Sequence, residues 1–325
     1  LKMSASLPSE MIRLRDASRS IRFFDRYFFA RPVLMPPVWT ILLLSAVGPG
    51  LANINALSPF STRVWAGLLL CFFLYGGGYI LNQIFDIESD RLNKKLYFLP
   101  CGILTRGSAL VQYLLFTVVA LGGGWFLGRV WFYPTLAVVV LGLMYSLPPV
   151  RLKDRPLGGL LANALGHGTL VYYLGQALAG PETVPVWGAS SPYALAVAGV
   201  YLLTTIPDRK GDQACGKSTL SVRFGPRTAA VAALVCVLAA GITGARHGQW
   251  AIVFSAAISL PFFAAALAAQ SFCGYAVRVA LLSLSFFACL VFWPYLLVIV
   301  FLYVSTRWYY RRRFGVLYPR MSGGG

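Results

Sequence analysis

Apolar runs of about twenty residues recur between residues 33 and 305, and this repetition leaves few folds open. A helix needs ~20 mostly apolar residues to cross a bilayer. The chain is 58% hydrophobic and 12% charged, whereas a soluble domain carries about 25% charged residues. Backbone inside hydrocarbon must satisfy its own hydrogen bonds, and these runs lack the strict alternation of barrel strands. The expectation is an all-α, polytopic membrane helix bundle with about nine transmembrane helices around a central cavity. The spans fall at 33–56, 62–84, 107–128, 130–148, 156–180, 190–207, 226–246, 248–270 and 276–305, the last long enough to tilt or kink at Pro294. Before them, residues 1–32 form a basic segment whose arginines and aromatics suit a helix lying at the membrane surface. Residues 33–306 then read as a single transmembrane domain, and 307–325 as a basic tail.

The net charge of +18 raises the question of nucleic acid. The distribution answers it, because the basic residues sit in loops and at both ends, where membrane orientation and anionic lipid account for them. No nucleic-acid-reading motif accompanies them. With the N-terminus on the cytoplasmic side, twenty lysines and arginines lie inside, against Arg63, Arg129 and Arg246 outside. Nine spans leave Arg307, Arg311, Arg312, Arg313 and Arg320 on the outer side, which is the one conflict with the rule.

Only ten acidic residues are present, and five occupy two short segments, each at the end of an apolar run. The first reads Asn82-Gln-Ile-Phe-Asp86-Ile-Glu88-Ser-Asp90, the second Thr204-Thr-Ile-Pro-Asp208-Arg-Lys-Gly-Asp212. They align at a constant offset of 122 residues, a weak internal repeat suggesting two pseudo-equivalent halves of one bundle. Acids at a membrane boundary are costly and mark functional sites. Positions i, i+4 and i+8 share one helix face, so Asn82, Asp86 and Asp90 project together, as do Thr204, Asp208 and Asp212. Glu88 points away. Two carboxylates one turn apart repel, by roughly 0.2–0.5 kcal/mol on an isolated helix. Repeating that arrangement twice makes sense if cations sit between them. Mg²⁺ takes oxygen ligands, commonly one or two carboxylates plus substrate phosphate oxygens, and nearby basic residues would neutralise the remaining charge.

These segments resemble the UbiA superfamily of intramembrane prenyltransferases. The likeness extends to Arg31-Pro32 before the first span, to Tyr145-Ser-Leu-Pro-Pro-Val-Arg151-Leu-Lys153, to Gly159-Leu-Leu-Ala-Asn163-Ala-Leu-Gly166, and to the stretch from Asp208 through Gly216, Lys217, Thr219 and Leu220. The resemblance implies Mg²⁺-dependent transfer of a prenyl group from an allylic prenyl diphosphate to a lipophilic acceptor inside the membrane, with release of pyrophosphate. It implies a metal–diphosphate site of Asn82, Asp86, Asp90, Asp208 and Asp212, the four aspartates being the catalytic set. Lys94, Arg151, Lys153 and Lys217 are implied phosphate contacts, and Arg31, Tyr145 and Asn163 further substrate contacts. An apolar bundle would shield an allylic cation from water.

The chain departs from the pattern at Thr204, where Asn or Asp is usual, and at Gln83, where Asp is frequent. Phe98 and Cys101 stand where the family usually carries an arginine and a serine, near the acceptor mouth. His167 lies one turn from Asn163 on the same face, placed to take a proton from an acceptor or simply to pack within the bundle. Tyr145, Tyr172 and Tyr173 have ring faces suited to a cation.

Other chemistries are limited by what the chain contains. Two histidines and no CxxC pair exclude histidine-rich metal sites, HExxH chemistry and a zinc framework. A terpene cyclase or a phosphoribosyl transfer on the same fold remain alternatives within the enzymes. The DGxxAR opening of CDP-alcohol phosphotransferases is missing. A divalent-cation transporter or channel is the alternative outside the enzymes, but the acids lie at one membrane face and not in a file, and spans 2 and 6 lack midplane breaks.

Overall fold

Long apolar segments close their own backbone hydrogen bonds, and the computed structural model is accordingly helical, with no strand among the described residues (19–48, 55–92, 97–179 and 188–319). The helices are α1 (Asp25–Phe29), α2 (Met35–Val47), α3 (Thr62–Phe85), α4 (Ile87–Leu92), α5 (Arg106–Leu127) and α6 (Arg129–Ser146). Then α7 (Pro156–Asn163) runs through a π-helical stretch, Ala164–Leu170, into α8 (Val171–Ala179). They are followed by α9 (Ser191–Ala214), α10 (Leu220–Phe224), α11 (Pro226–Arg246), α12 (Trp250–Ala268), α13 (Cys273–Val291) and α14 (Pro294–Phe314). Ser61 and Thr105 start α3 and α5 by accepting the Val64 and Ser108 amides. Pro156, Pro226 and Pro294 each open a helix where a missing N–H costs nothing.

Seven helical stretches among the described residues are long and apolar enough to cross a membrane. The α7–π–α8 unit, α9 and α14 have comparable length but carry the polar residues of the site or the terminal arginines. The outer faces of α5, α11 and α14 present Leu115, Val118, Val235, Leu238, Leu297 and Phe301, as lipid requires. The protein is an integral, multi-pass membrane protein.

Helices α3, α5 and α6 pack in sequence, α9 packs on α11, α11 on α12, α12 on α13, and α2 joins the two sets through α8 and α13. Small residues permit the closest approaches. A Cβ added to Gly168 would lie 2.5 Å from Ala194 Cα, so only glycine lets the π-helical stretch meet α9 here.

The last expected span, 276–305, resolves into two helices with a break at Phe292–Trp293. Pro294 begins a new helix instead of kinking a continuous one. Near the break, Asn55 and Leu57 amides bond the carbonyls of Leu290 and Val291. From there α14 returns to the face that carries α1, where Arg313 pairs with Asp25 (Nε–Oδ1 3.0 Å) and the Tyr309 hydroxyl donates to the same carboxylate. Arg311, Arg312 and Arg313, three of the arginines that conflicted with the charge rule, therefore lie on the same side as Arg22 and Arg26, which flank Asp25. The boundary expected at 306/307 falls inside α14. Both ions of the pair are almost fully buried, and removing one partner of such a pair costs ~3–5 kcal/mol.

Candidate active site

Helices α3 and α9 end beside one another at a cavity of about 630 Å³ that opens between the two halves of the bundle. Arg31, Asn82, Tyr145, Asn163, Tyr201, Thr204 and Asp208 surround its polar end. Going back along α3 from Asn82 leads inward past Tyr79 to Tyr75, and going forward from Asn163 leads to His167. Thr40, Ser255 and Ser285 lie among the deeper lining residues, otherwise mostly aliphatic.

The two acidic segments differ in build. α9 is continuous from Thr204 through Asp208 to Asp212, so the expected common face holds there. In the first segment the helix stops at Phe85, Asp86 caps it with φ −108°, and α4 restarts at Ile87. The Asp90 amide then bonds the Asp86 carbonyl at 2.7 Å. Asn82, Asp86 and Asp90 thus converge across a helix break, not along a single face, which corrects the expectation. Glu88 points out and is exposed, as expected.

Two lysines from separate loops hold the first segment. Proline at positions 148 and 149 stops α6, and the chain turns through Arg151 into a short 3₁₀ turn, Leu152–Asp154. That turn buries Lys153, whose Nζ lies 2.9 Å from Asp86 Oδ1 and donates to Asn82 Oδ1 at 2.9 Å. Lys217 Nζ reaches both segments, 3.4 Å from Asp86 and 3.7 Å from Asp212. The Ser218 amide donates to the Asp154 carbonyl at 2.9 Å and ties the two lysine loops together.

Burial lowers the Lys153 pKa, an effect that Asp86 only partly offsets. For Lys217 burial also disfavours charge, but Asp86 and Asp212 outweigh it and the net direction is upward. Burial, with the Asp86 charge adding to it, pushes the Asp90 carboxyl up to about 7. Its Oδ2 is buried without a hydrogen-bond partner.

Asn163 donates to the Gly159 carbonyl (2.8 Å) and to the Tyr145 hydroxyl (3.4 Å) at the cavity wall. Arg31 adopts a left-handed conformation (φ 58°) at the start of the Pro32–Leu34 turn and lies 5.9 Å from the Tyr79 ring centroid. Arg151 pairs with Asp154 at 2.7 Å at the rim, outside the cavity lining. Lys94 lies outside the described residues. Tyr172 packs on Tyr193 and bonds Gln249, away from the cavity. Thr204 donates to the Tyr201 carbonyl at 2.7 Å. Gln83 is buried and donates to the Phe29 carbonyl at 3.0 Å, fastening α3 to α1. Phe98 and Cys101 are buried too; Phe98 joins an aromatic cluster with Phe29, Tyr309, Tyr310 and Phe314. Phe98 therefore supports the docking of α14, and neither residue lines the cavity.

Sequence reasoning passed over Tyr75, Tyr79 and Tyr201. Tyr79 and Tyr75 stand three and seven residues before Asn82, and Tyr201 three before Thr204 and seven before Asp208, and this helical spacing was the available signal. Among the described residues no three acidic, histidine or cysteine side chains converge closely enough to hold an ion by themselves.

The chain belongs to the UbiA prenyltransferase family, whose family model matches residues 34–280. It is 28% identical over 232 residues to a chloroplast chlorophyll synthase of Oryza sativa subsp. japonica, covering 67% of this chain and 59% of that protein. It is 30% identical over 227 residues to a homogentisate phytyltransferase of Synechocystis, covering 66% of this chain and 71% of that protein. A UbiA homologue from Archaeoglobus fulgidus, solved with GPP and Mg²⁺, shares the fold with a TM-score of 0.63 at 17% identity, over 82% of this chain and 99% of that one. The matched stretch spans less than two thirds of the rice relative, and α14 lies beyond the family match.

Proposed function

We propose that the protein transfers a prenyl group from an allylic prenyl diphosphate to a lipophilic acceptor, depends on Mg²⁺, and releases pyrophosphate at the cytoplasmic face. One observation carries this reading: Lys217 touches Asp86 and Asp212 at once and Lys153 bonds Asp86 and Asn82, so both acidic segments and two lysines meet next to Asn82 and Asp208, which line the polar end of one mostly apolar cavity. A diphosphate supplies the counter-charge those lysines now find in Asp86, and an isoprenoid tail matches the aliphatic wall. Family membership and the relatives' names support the same chemistry.

The residues fit a magnesium site of the kind completed by substrate. The donors are all oxygen: Asn82, Asp86, Asp90, Asp208 and Asp212. Asp90 Oδ2 has no protein partner, and Mg²⁺ needs only one or two carboxylates once phosphate oxygens are present. When bound, the ion stabilises charge developing on the departing pyrophosphate. Lys153 and Lys217 bind the diphosphate and hold it in line with the cavity, with Arg151 in the Lys153 loop and Lys94, in the stretch after α4, as further phosphate contacts. Tyr145 and Asn163 border the reacting carbon. Arg31 lies at the polar end beside Tyr79. The mostly aliphatic wall limits water around the cation.

A donor-by-acceptor screen read by mass spectrometry tests this, with Asp86→Ala and Asp208→Ala as controls. Prenylated product from the unmodified protein and none from either variant is expected. Full turnover in both variants would refute the site.

A further inference from the structure

The last turns of α14 have two faces of opposite kind. Residues three or four apart share a helix face, so Tyr309, Tyr310, Arg313 and Phe314 turn inward and are buried. There the Arg313 charge is answered by Asp25. Arg307, Trp308, Arg311 and Arg312 turn outward, Arg307 half-buried and the other three exposed. Among the described residues no carboxylate pairs with Arg307, Arg311 or Arg312. Arg307 Nη1 donates to the Tyr303 hydroxyl at 2.8 Å, a bond that leaves its charge unmatched. Like charges this close on one helix repel, so the cluster gains from an anion placed against it. Among the described residues, Tyr303, Val304, Arg307, Trp308, Arg311 and Arg312 line a groove of about 570 Å³. One end of it is cationic. The other runs on along the same face over exposed Val304, Phe301, Val300 and Leu297. Trp308 lies between the two, its ring edge-to-face with Phe24 at 6.3 Å, and the adjoining Phe23 is exposed as well. Tryptophan at such a boundary marks the headgroup level of a bilayer.

We propose that this face of α14 binds an anionic phospholipid, its phosphate between Arg307, Arg311 and Arg312 and an acyl chain along Val304, Phe301 and Leu297. Guanidinium forks match phosphate oxygens two at a time. A zwitterionic lipid offers the same phosphate but brings a cation with it, which three unmatched arginines disfavour. A free phosphate supplies the anion but covers none of the apolar end. The two ends of the groove together therefore select a lipid of net negative charge. A lipid held here stabilises the folded state, and with it the docking of α14 on α1, because Arg313, next in sequence to Arg312, holds Asp25 on the buried face. The inference is separate from the prenyl-transfer reading, since α14 lies beyond the family match at residues 34–280.

Native mass spectrometry of the full chain in detergent tests this, with dioleoyl phosphatidylglycerol, dioleoyl phosphatidylcholine and glycerol 3-phosphate titrated in turn. Phosphatidylglycerol should saturate a single site with an affinity about tenfold above that of phosphatidylcholine, and glycerol 3-phosphate should leave no adduct at the same concentrations. The double variant Arg311→Gln, Arg312→Gln should weaken phosphatidylglycerol binding about tenfold, to the level of phosphatidylcholine. Arg246→Gln, at the C-terminal end of α11, is the control and should change neither lipid. Equal retention of the two lipids, glycerol 3-phosphate held as tightly as phosphatidylglycerol, or phosphatidylglycerol binding unchanged in the double variant overturns the proposal. The lipid comparison is made on the unmodified chain, so a double variant that fails to fold does not rescue it.

Discussion

The two acidic segments repeat one another in sequence, and the structure treats them unequally. At the tip of α3 the helix breaks, Asp86 is buried, and two lysines close on it. At the tip of α9 the helix continues, Asp208 and Asp212 are half-buried, and Thr204 spends its hydroxyl on its own backbone. The same spacing of oxygen donors has thus produced an inner, more buried segment on which two lysines close at Asp86, and an outer one that Lys217 reaches at Asp212 and that borders the cavity at Asp208. The difference suggests a division of labour, the first half fixing where the diphosphate sits and the second completing its surroundings.

That asymmetry sets an order of effects. Asp86→Asn should be the most damaging change, lowering pyrophosphate release about 10³-fold, because it weakens a metal ligand and leaves Lys153 and Lys217 short of their counter-ion. Asp208→Asn should cost about 10²-fold in the same steady-state assay. Equal losses at the two positions would remove the distinction between inner and outer segments. Next comes pH. The Asp90 carboxyl is held up to about 7, so below neutrality a proton competes with Mg²⁺. Apparent Mg²⁺ affinity should fall about tenfold per pH unit below ~7, with a proton released on binding, measurable by calorimetry in two buffers. The sign for folding runs the other way: the raised value favours the folded state in acid, and that contribution is lost as pH rises through about 7. Thr204→Asn should have the smallest effect, a change of about twofold to threefold in apparent Mg²⁺ affinity, since it adds an oxygen donor where the present hydroxyl is already bonded.

The legible part of this molecule was the part written in apolar length and charge asymmetry. Six of the first eight expected spans coincide with helices long and apolar enough to cross a membrane, while the fifth and sixth fall on the more polar α7–π–α8 unit and α9. The ninth did not match a single helix, because Phe292 and Trp293 keep the run apolar across a true chain reversal. The misplaced tail arginines were the trace it left. Helical spacing predicted the α9 tip correctly and failed at α3, where a buried ion pair, not periodicity, decides the geometry at Asp86. Lys153 and Lys217 were readable as basic residues in motif loops, but their meeting on one carboxylate needed three dimensions.

The account stands or falls on one binding site shared by both segments. Calorimetric titration of the full-length protein with a non-hydrolysable geranylgeranyl diphosphate analogue, with and without Mg²⁺, tests this directly in the unmodified chain, Asp86→Ala and Asp208→Ala. Saturable binding that requires Mg²⁺ and is lost or severely weakened in each variant is the predicted result. Binding that ignores the metal, or survives unchanged in both variants, would contradict it.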